Sequence, residues 1–328
     1  MSYHWGLAVE SKHGPPPRGT AKEEQPVGMR EAITSGRFII TGEVAPPKGH
    51  HFEHMVQEAE FYRDRVAAIN VTDIQSSVMR ASSLVGCLKL QEAGLPPVLQ
   101  MVCRDRNRLA LQSELLSAAA MGITDVLCLT GDYTTLGDHP QAKPVFDLDS
   151  VTLLRAARRL MSGKDMAFYP DRKNPGQYID GETLDGDPPD FCLGCVVNPG
   201  ARPIEPQIYK LLKKIEAGAE FCQTQAVYDA GVFEQFMAKL GEVPIPILAG
   251  IVVLKSPMMA KFMNANVAGV TVPDWMIEAL ADKETRVQKS IEMSAQLISD
   301  LKPLCRGVHV MPLGWDKHVP TILDKAGL

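Results

Sequence analysis

Eight short apolar runs recur along the chain, and a segment with the periodicity of an amphipathic helix follows each of them. Apolar runs that are nearly continuous, rather than alternating with polar residues, are typical of parallel strands buried on both faces. The predicted strands are 37–44, 66–72, 97–102, 124–130, 192–197, 219–225, 245–252 and 307–311. The predicted helices are 52–64, 80–93, 106–121, 148–162, 205–217, 229–240, 256–265 and 283–301, with shorter ones at 273–281 and 316–325. Eight strand–helix units predict an α/β fold, a (β/α)8 (TIM) barrel.

A doubly wound parallel sheet is the alternative fold with the same alternation of strands and helices. Such a sheet usually carries a glycine-rich, phosphate-binding turn after its first strand. Here the segment that follows the first predicted strand reads EVAPPKG (43–49), without the G-x-G-x-x-G pattern. The sequence therefore favours the barrel.

Two segments interrupt the repeat of strands and helices. Residues 1–30 contain GPPPRG and KEE and bury little, so they are predicted to be an N-terminal extension that Trp5 anchors, ahead of a barrel domain at 31–328. Residues 163–191 form a long Gly/Pro/Asp-rich loop between the fourth predicted helix and the fifth predicted strand. Because this loop carries the aromatic residues Phe168, Tyr169 and Tyr178, we expect an ordered flap rather than a disordered linker.

The bulk composition excludes several classes of protein. The net charge of −5 argues against a nucleic-acid-binding surface, and no apolar run approaches the ~20 residues that span a bilayer. The N-terminal residues lack a charged start followed by an apolar core, so we expect no secretory signal. Seven cysteines, an odd number, are scattered within apolar runs. This usage indicates reduced thiols in a cytoplasmic protein rather than a disulfide framework.

Two groups of residues resemble metal ligands, and neither predicts a metal site. Cys192 and Cys195 lie three residues apart in a predicted strand, so their thiols point to opposite faces. His50, His51 and His54 cluster after the first strand, but no third protein ligand accompanies the i, i+4 pair. We expect core cysteines and a solvated or substrate-adjacent histidine loop.

Polar residues end three of the predicted strands. The run VLCLTGD (126–132) ends in Gly131, which permits a tight turn, and Asp132. Glu43 and Gln225 lie near the ends of the first and sixth predicted strands. Because ligands bind at the carboxyl ends of barrel strands, these three polar side chains predict one cavity.

Glu43 is a candidate general acid, because burial beside the apolar, rigid turn VAPP favours the neutral form of a carboxyl group. The alternative is an ordinary strand-end glutamate paired with Lys48 or Arg37. Asp132 could equally be a common turn residue, and Gln225 could simply satisfy backbone groups at a strand end. The occurrence of all three at strand ends favours a functional site.

The chain resembles the methylenetetrahydrofolate reductases over roughly residues 37–312. The resemblance rests on FIITGEVAPPKG, INVTD, LTGD, KPVFDLDSVTLL, CVVNPGA, VPDWM and, most specifically, LLKKIEAGAEFCQTQAVYD. It implies a (β/α)8 barrel that carries a flavin, usually FAD and with FMN possible. It also implies the reduction of 5,10-methylenetetrahydrofolate to 5-methyltetrahydrofolate in one-carbon metabolism and methionine biosynthesis.

The resemblance also implies roles for individual residues. Glu43 would be the general acid, Asp132 would lie beside the flavin and the folate, and Gln225 would hydrogen-bond the pterin ring. The positions that match flavin contacts are Thr72, Gln100, Thr130, Gly131, Asp132, Asn198, Gln207 and Lys214. Lys214 would reach a flavin phosphate as a point charge.

The chain also departs from the better-known bacterial enzymes of this family. Gln100, Thr130 and Asn198 stand where those enzymes have His, Arg and Tyr, respectively. Residues 226–228 replace an aromatic triplet, and the loop 163–191 is longer. With these differences, the resemblance leaves open both the identity of the flavin, FAD or FMN, and the electron donor.

Three arrangements are consistent with the resemblance. In the first, NAD(P)H reduces the flavin directly and the chain works alone or as a homo-oligomer. In the second, the chain is a catalytic subunit that receives electrons from an iron–sulfur or flavin partner protein, because the sequence has no iron–sulfur motif of its own. In the third, it is a folate-binding subunit without catalytic activity, which the retention of Glu43, Asp132 and Gln225 disfavours.

Overall fold

The computed structural model of the protein describes residues 28–328, in which eight parallel strands close into a barrel. Every neighbouring pair of barrel strands is parallel, and the last strand pairs with the first, which confirms the predicted (β/α)8 barrel. The barrel strands are β1 (Ile39–Val44), β2 (Ala68–Val71), β3 (Pro97–Val102), β4 (Asp125–Leu129), β7 (Cys192–Val197), β8 (Phe221–Ala226), β9 (Ile247–Val252) and β10 (Gly307–Met311). Two further strands, β5 (Phe168–Pro170) and β6 (Tyr178–Asp180), form a separate hairpin.

Helices surround the barrel, and all of them except α1 lie at predicted places. They are α1 (Met29–Ser35), α2 (Glu53–Ala59), α3 (Ser83–Glu92), α4 (Arg108–Ala120), α5 (Ser150–Met161), α6 (Glu205–Glu216), α7 (Ala230–Leu240), α8 (Pro257–Asn266), α9 (Asp274–Ala279), α10 (Arg286–Leu301) and α11 (Val319–Lys325). Side-chain caps fix where five of the described helices begin, and α4 and α5 are examples. Asn107 accepts the first free N–H groups of α4, and Asp149 forms a capping box with Thr152 at the start of α5.

Helix α1 closes the amino-terminal end of the barrel, and the sequence did not predict it. Met29 and Ala32 pack against the interior residues at that end, including Ile39 and Phe221. The Asp125 carboxylate accepts the backbone N–H of Met29 at 2.8 Å. Burial raises the pKa of Asp125 to about 6. The predicted boundary at residue 30 and the anchoring role of Trp5 stay predictions, because residues 1–27 lie outside the described part of the chain.

The loop 163–191 is ordered but lies at the opposite end of the barrel from the strand carboxyl ends. It follows α5 and precedes β7, and its last residues pair with α1 through the ion pair of Arg30 with Asp190 at 2.9 Å. Phe168 and Tyr178 of its hairpin stack with ring centroids 5.0 Å apart. The expectation of an ordered segment is met. Its place at the amino-terminal end does not suit a flap over the strand carboxyl ends.

All seven cysteines are free thiols. Cys192 packs in the interior of the barrel, whereas Cys195 packs in the layer between strands and helices. The two thiols therefore face opposite sides of β7, as the strand periodicity predicted. Among residues 28–328, no helix is both long and apolar enough to cross a membrane.

Candidate active site

A cavity of about 390 Å³ opens at the carboxyl ends of the barrel strands, and we call it the strand-end cavity. Most residues that the sequence placed in a site line this cavity together. They are Glu43, Gln100, Thr130, Gly131, Asp132, Asn198, Gln207, Lys214 and Gln225. The structure therefore brings polar residues from five different strand–helix units to one place, which is how barrels assemble sites.

Glu43 lies at the end of β1 with only 8% of its surface exposed. Its carboxyl oxygens accept hydrogen bonds from the side-chain amides of Gln75 at 3.3 Å and Gln100 at 3.1 Å. His309 Nε2 lies 3.4 Å from the oxygen that Gln100 contacts. Lys48, the alternative partner expected for this carboxyl, instead pairs with Asp138 at 2.6 Å. Amides and an imidazole thus hold the Glu43 carboxyl at the cavity wall.

A second layer of polar groups lies beneath Glu43 in the barrel interior. Thr41 Oγ1 lies 2.9 Å from His309 Nδ1 and accepts a hydrogen bond from Gln223 Nε2 at 3.3 Å. This layer orients the His309 ring, whose other nitrogen faces Glu43. Gln223 Oε1 is buried and has no hydrogen-bond partner among the described residues. Since Gln223 also lines the strand-end cavity, its orphaned acceptor is available to an N–H group of a ligand.

Gly131 and Asp132 follow β4 on the cavity rim. Gly131 has φ of +94°, and a Cβ there would lie 3.1 Å from side-chain atoms of Val102 and Arg104, so the turn needs glycine. The buried Arg104 guanidinium donates to the Asp132 carbonyl oxygen at 3.2 Å. Arg104 therefore fixes the backbone of Asp132, and the Asp132 side chain is exposed on the rim.

Gln225 and Asn198 line the cavity while also bonding to nearby backbone groups. Gln225 Oε1 accepts the N–H of Ala226 at 3.0 Å, as expected from the alternative that Gln225 satisfies backbone groups at the strand end. The Asn198 amide donates to Ala268 O at 2.7 Å and accepts from Gly200 N at 3.2 Å. None of the residues that the structure describes accepts a hydrogen bond from the Gln225 side-chain NH2 group, so this group is the part of the side chain that can contact a ligand.

One wall of the cavity combines a helix N-terminus with lysines. Thr130 Oγ1 accepts the first backbone N–H of α5, that of Ser150, at 3.1 Å. Lys214 is 5% exposed, donates to Val196 O at 2.6 Å, and has its pKa lowered by burial. Lys210 lines the same wall, is partly exposed, and lies 3.8 Å from the carboxylate of Asp149, the N-cap of α5. A helix N-terminus beside cations is a favourable place for phosphate.

Thr72 is the predicted site residue that does not line the strand-end cavity. Its backbone N–H donates to Val44 O at 3.1 Å, and its hydroxyl is buried with no partner among the described residues. A cofactor role for Thr72 stays a prediction. The neighbouring Asp73 does line the cavity, where its carboxylate accepts the N–H of Val102 at 2.8 Å and pairs with Arg106.

The sequence did not single out Gln75, Arg104 or His309, which lie at the centre of the site. His309 occurs in the plain strand GVHVM, and its position beside Glu43 follows only from the pairing of β10 with β1.

The His54 ring approaches Glu58 at 3.4 Å. Within 28–328 no group of three or more His, Cys, Asp or Glu side chains could hold a metal ion.

Comparison with known proteins identifies the family. The family model for methylenetetrahydrofolate reductase matches residues 28–327. Methylenetetrahydrofolate reductase 2 of Schizosaccharomyces pombe is 24% identical over 73% of this chain and 37% of its own length. A probable NADPH-dependent methylenetetrahydrofolate reductase of Caenorhabditis elegans is 26% identical over 79% of this chain and 36% of its own. The chain thus spans little more than a third of these two relatives.

A bacterial relative is covered almost completely. The 5,10-methylenetetrahydrofolate reductase of Pectobacterium carotovorum is 20% identical over 86% of this chain and 87% of its own length. The barrel of this chain therefore corresponds to nearly the whole of that shorter protein.

Two solved structures share the fold. An uncharacterised Clostridium thermocellum protein described as binding two copies of 5-methyl-5,6,7,8-tetrahydrofolic acid is 15% identical, with a TM-score of 0.56, covering 92% of this chain and 95% of its own. EDTA monooxygenase of a Chelativorans species is 12% identical, with a TM-score of 0.52, covering 88% and 92%. At these identities the similarity concerns the fold alone. The match over residues 28–327 shows that the chain belongs to the methylenetetrahydrofolate reductase family.

Proposed function

We propose that the protein catalyses the flavin-dependent reduction of 5,10-methylenetetrahydrofolate to 5-methyltetrahydrofolate, a step of one-carbon metabolism that supplies methyl groups for methionine biosynthesis. The observation that carries this proposal is the placement of Glu43. It is a buried carboxyl group, held by two amides and an imidazole, at the wall of a cavity that Asp132 and Gln225 also line.

The cavity suits a flavin on three grounds. It has a volume of about 390 Å³, an orphaned acceptor at Gln223 Oε1, and a wall formed by the N-terminus of α5 with Lys210 and Lys214. A planar ring with N–H donors and a phosphate-bearing tail matches these features. The residues proposed to hold it are Thr72, Gln100, Thr130, Gly131, Asp132, Asn198, Gln207 and Lys214. FAD is the proposed cofactor, with FMN as the alternative.

When bound, the flavin supplies the hydride chemistry, which no side chain can provide. The side chains prepare the folate. Its five-membered ring must open to a 5-iminium cation before the carbon accepts hydride, and this opening requires protonation of N10. Glu43, whose carboxyl group lies at the cavity wall, donates that proton as the general acid.

Asp132 stabilises the cation that ring opening produces. Its negative charge acts more strongly once the ligands have excluded water from the strand-end cavity. The same charge opposes the gain of electrons by a nearby flavin and so lowers its reduction potential. Gln225 orients the pterin ring through its free NH2 group.

Two electron donors fit the proposal. NAD(P)H reduces the flavin directly in a chain that works alone or as a homo-oligomer, or else a partner protein with an iron–sulfur cluster or a flavin delivers the electrons. The seven free thiols suit a reducing cytoplasmic compartment in either case.

An anaerobic half-reaction tests the proposed function. The purified full chain is loaded with FAD or FMN, reduced with dithionite and mixed with 5,10-methylenetetrahydrofolate. We expect the absorbance of oxidised flavin to return and an equimolar amount of 5-methyltetrahydrofolate to form. A flavin that stays reduced contradicts the proposal. Mixing the oxidised protein with NADH or NADPH then identifies the donor. If neither bleaches the flavin while reduced methyl viologen sustains turnover, a partner protein is the donor.

A further inference from the structure

A second cavity, of about 350 Å³, lies on the other side of Glu43, and we call it the side cavity. It is bounded by the segment after β1, by α2 and by the segment after β10. Its polar lining comes from Glu43, His54, Glu58, Gln75, Arg80 and Asp316. Glu43 and Gln75 line both cavities, so the Glu43 carboxyl stands at the boundary between them.

The acidic groups of the side cavity lead from solvent towards Glu43. His54 is largely exposed and lies 3.4 Å from the half-buried Glu58. Asp316 is only 4% exposed and accepts a hydrogen bond from the Tyr62 hydroxyl at 2.7 Å. The same hydroxyl oxygen lies 3.2 Å from the backbone carbonyl oxygen of Glu43, so its single proton is shared between the two acceptors. One buried hydroxyl therefore ties Asp316 to the residue that bears the catalytic carboxyl.

The side cavity has the properties of a water-filled space. A polar cavity holds water when it has room and hydrogen-bonding partners, and a volume of about 350 Å³ is far more than a single water needs. Its carboxyl, imidazole and amide groups supply the partners. Water chains between such groups carry protons.

The proposed reaction creates a need for such a chain. Each turnover breaks the O–H bond of the Glu43 carboxylic acid as N10 of the folate takes the proton. The resulting carboxylate must form a new O–H bond before the next turnover. While the proposed cofactor and folate occupy the strand-end cavity, the side cavity offers Glu43 a second path to solvent.

We propose, on the basis of the function proposed above, that the side cavity is the proton-supply path of Glu43 and that Asp316 is its internal proton donor. A cavity water passes its proton to the Glu43 carboxylate and takes one from the Asp316 carboxylic acid. The Asp316 carboxylate is then reprotonated from solvent through the His54–Glu58 pair at the mouth.

The charges around Asp316 suit this role. Burial raises its pKa to about 6, the Tyr62 hydrogen bond opposes that rise, and the negative charge of Glu58 adds to it. The positive charge of Lys255 lowers the pKa of Asp316. The Arg80 guanidinium faces the side cavity but donates to Pro46 O at 3.0 Å. Asp316 therefore exchanges its proton close to neutral pH, as a donor in a relay must.

Comparison of the first turnover with steady-state turnover tests the proposal. Asp316→Asn keeps an oxygen that can accept from Tyr62 but carries no exchangeable acid proton. A single turnover of dithionite-reduced protein needs no return of a proton to Glu43 afterwards, so the rate of flavin reoxidation by 5,10-methylenetetrahydrofolate should match the parent. In steady state with saturating reduced methyl viologen, kcat should fall about tenfold or more, and imidazole should restore it.

Asp125→Asn is the matched control, because Asp125 is also a buried acid with a pKa of about 6 but lies at the opposite end of the barrel. It should leave both rates unchanged. If Asp316→Asn slows both measurements equally, or leaves kcat unchanged, the proton-supply role is wrong. A parent protein that does not reoxidise at all refutes the proposed function instead, so the two failures are distinguishable.

A crystal structure of the cofactor-free protein provides a readout that does not depend on activity. We expect ordered waters in the side cavity that join the Glu43 carboxyl to Asp316. A dry cavity, or side chains that separate the two carboxyl groups, would overturn the proposal.

Discussion

Replacement of Glu43 by glutamine separates proton donation from every other function of the site. The amide has the size of the carboxyl but cannot protonate N10. Gln75 and Gln100 donate to different oxygens of Glu43, so the variant keeps one of these hydrogen bonds, and the other glutamine must rotate its amide to present an acceptor. We expect this rearrangement to cost about 1 kcal/mol of stability, and the variant should fold.

The loss of the general acid sets the size of the kinetic effect. Positioned acids contribute about 10²–10⁴-fold to a rate, which corresponds to about 3–5 kcal/mol of transition-state stabilisation. Flavin reduction involves no proton from Glu43, so its rate should remain within about twofold of the parent. Reoxidation by 5,10-methylenetetrahydrofolate should carry the whole loss.

Anaerobic stopped-flow absorbance measures the two half-reactions separately. Glu53→Gln is the matched control, since Glu53 is an exposed glutamate at the start of α2, and it should behave as the parent in both. If Glu43→Gln forms 5-methyltetrahydrofolate at the parent rate, Glu43 is not the general acid.

Three further predictions address charge in the site and in the fold. Asp132→Asn removes a charge that opposes flavin reduction, so the flavin midpoint potential should rise by about 30 mV for each 1.4 kcal/mol of repulsion removed. Folate turnover should slow in the same variant. An unchanged midpoint potential in a spectroelectrochemical titration would contradict this role of Asp132. Lys214→Met should raise the flavin dissociation constant about tenfold or more, as fluorescence titration can measure, and equal affinity would exclude a phosphate contact. Burial raises the pKa of Asp125 from 3.8 to about 6. Ionisation of Asp125 therefore destabilises the native state by about 3 kcal/mol above about pH 6, and this destabilisation disappears as the pH falls towards 4. Asp125→Asn keeps an acceptor for Met29 N–H, so urea unfolding should show that the variant is more stable than the parent at pH 8 and equally stable near pH 4. A stability difference between variant and parent that does not change with pH would refute the raised pKa of Asp125.

The strands of the barrel could be predicted closely because they are buried on both faces, so each one appears as a continuous apolar run. Three predicted strands, at 97–102, 192–197 and 307–311, have the observed bounds. The same logic located Glu43, Asp132 and Gln225, which end such runs and meet at one cavity.

Other features depend on contacts that no local pattern contains. His309 becomes part of the site only because barrel closure sets it opposite Thr41 in the pairing of β10 with β1. Helix α1 is seven residues long, and its place is fixed by packing at the barrel end rather than by helical periodicity. The loop 163–191 joins a helix to the following strand, and that order alone places it away from the strand carboxyl ends.

The central claim is that this barrel binds a flavin and exchanges hydride between it and a folate. The most direct test is an anaerobic absorption spectrum of the full chain, purified and incubated with FAD or FMN, before and after addition of 5-methyltetrahydrofolate. We predict a bound-flavin band that bleaches as the folate is oxidised to 5,10-methylenetetrahydrofolate. A protein that binds neither flavin, or whose bound flavin keeps its full absorbance, would contradict the claim.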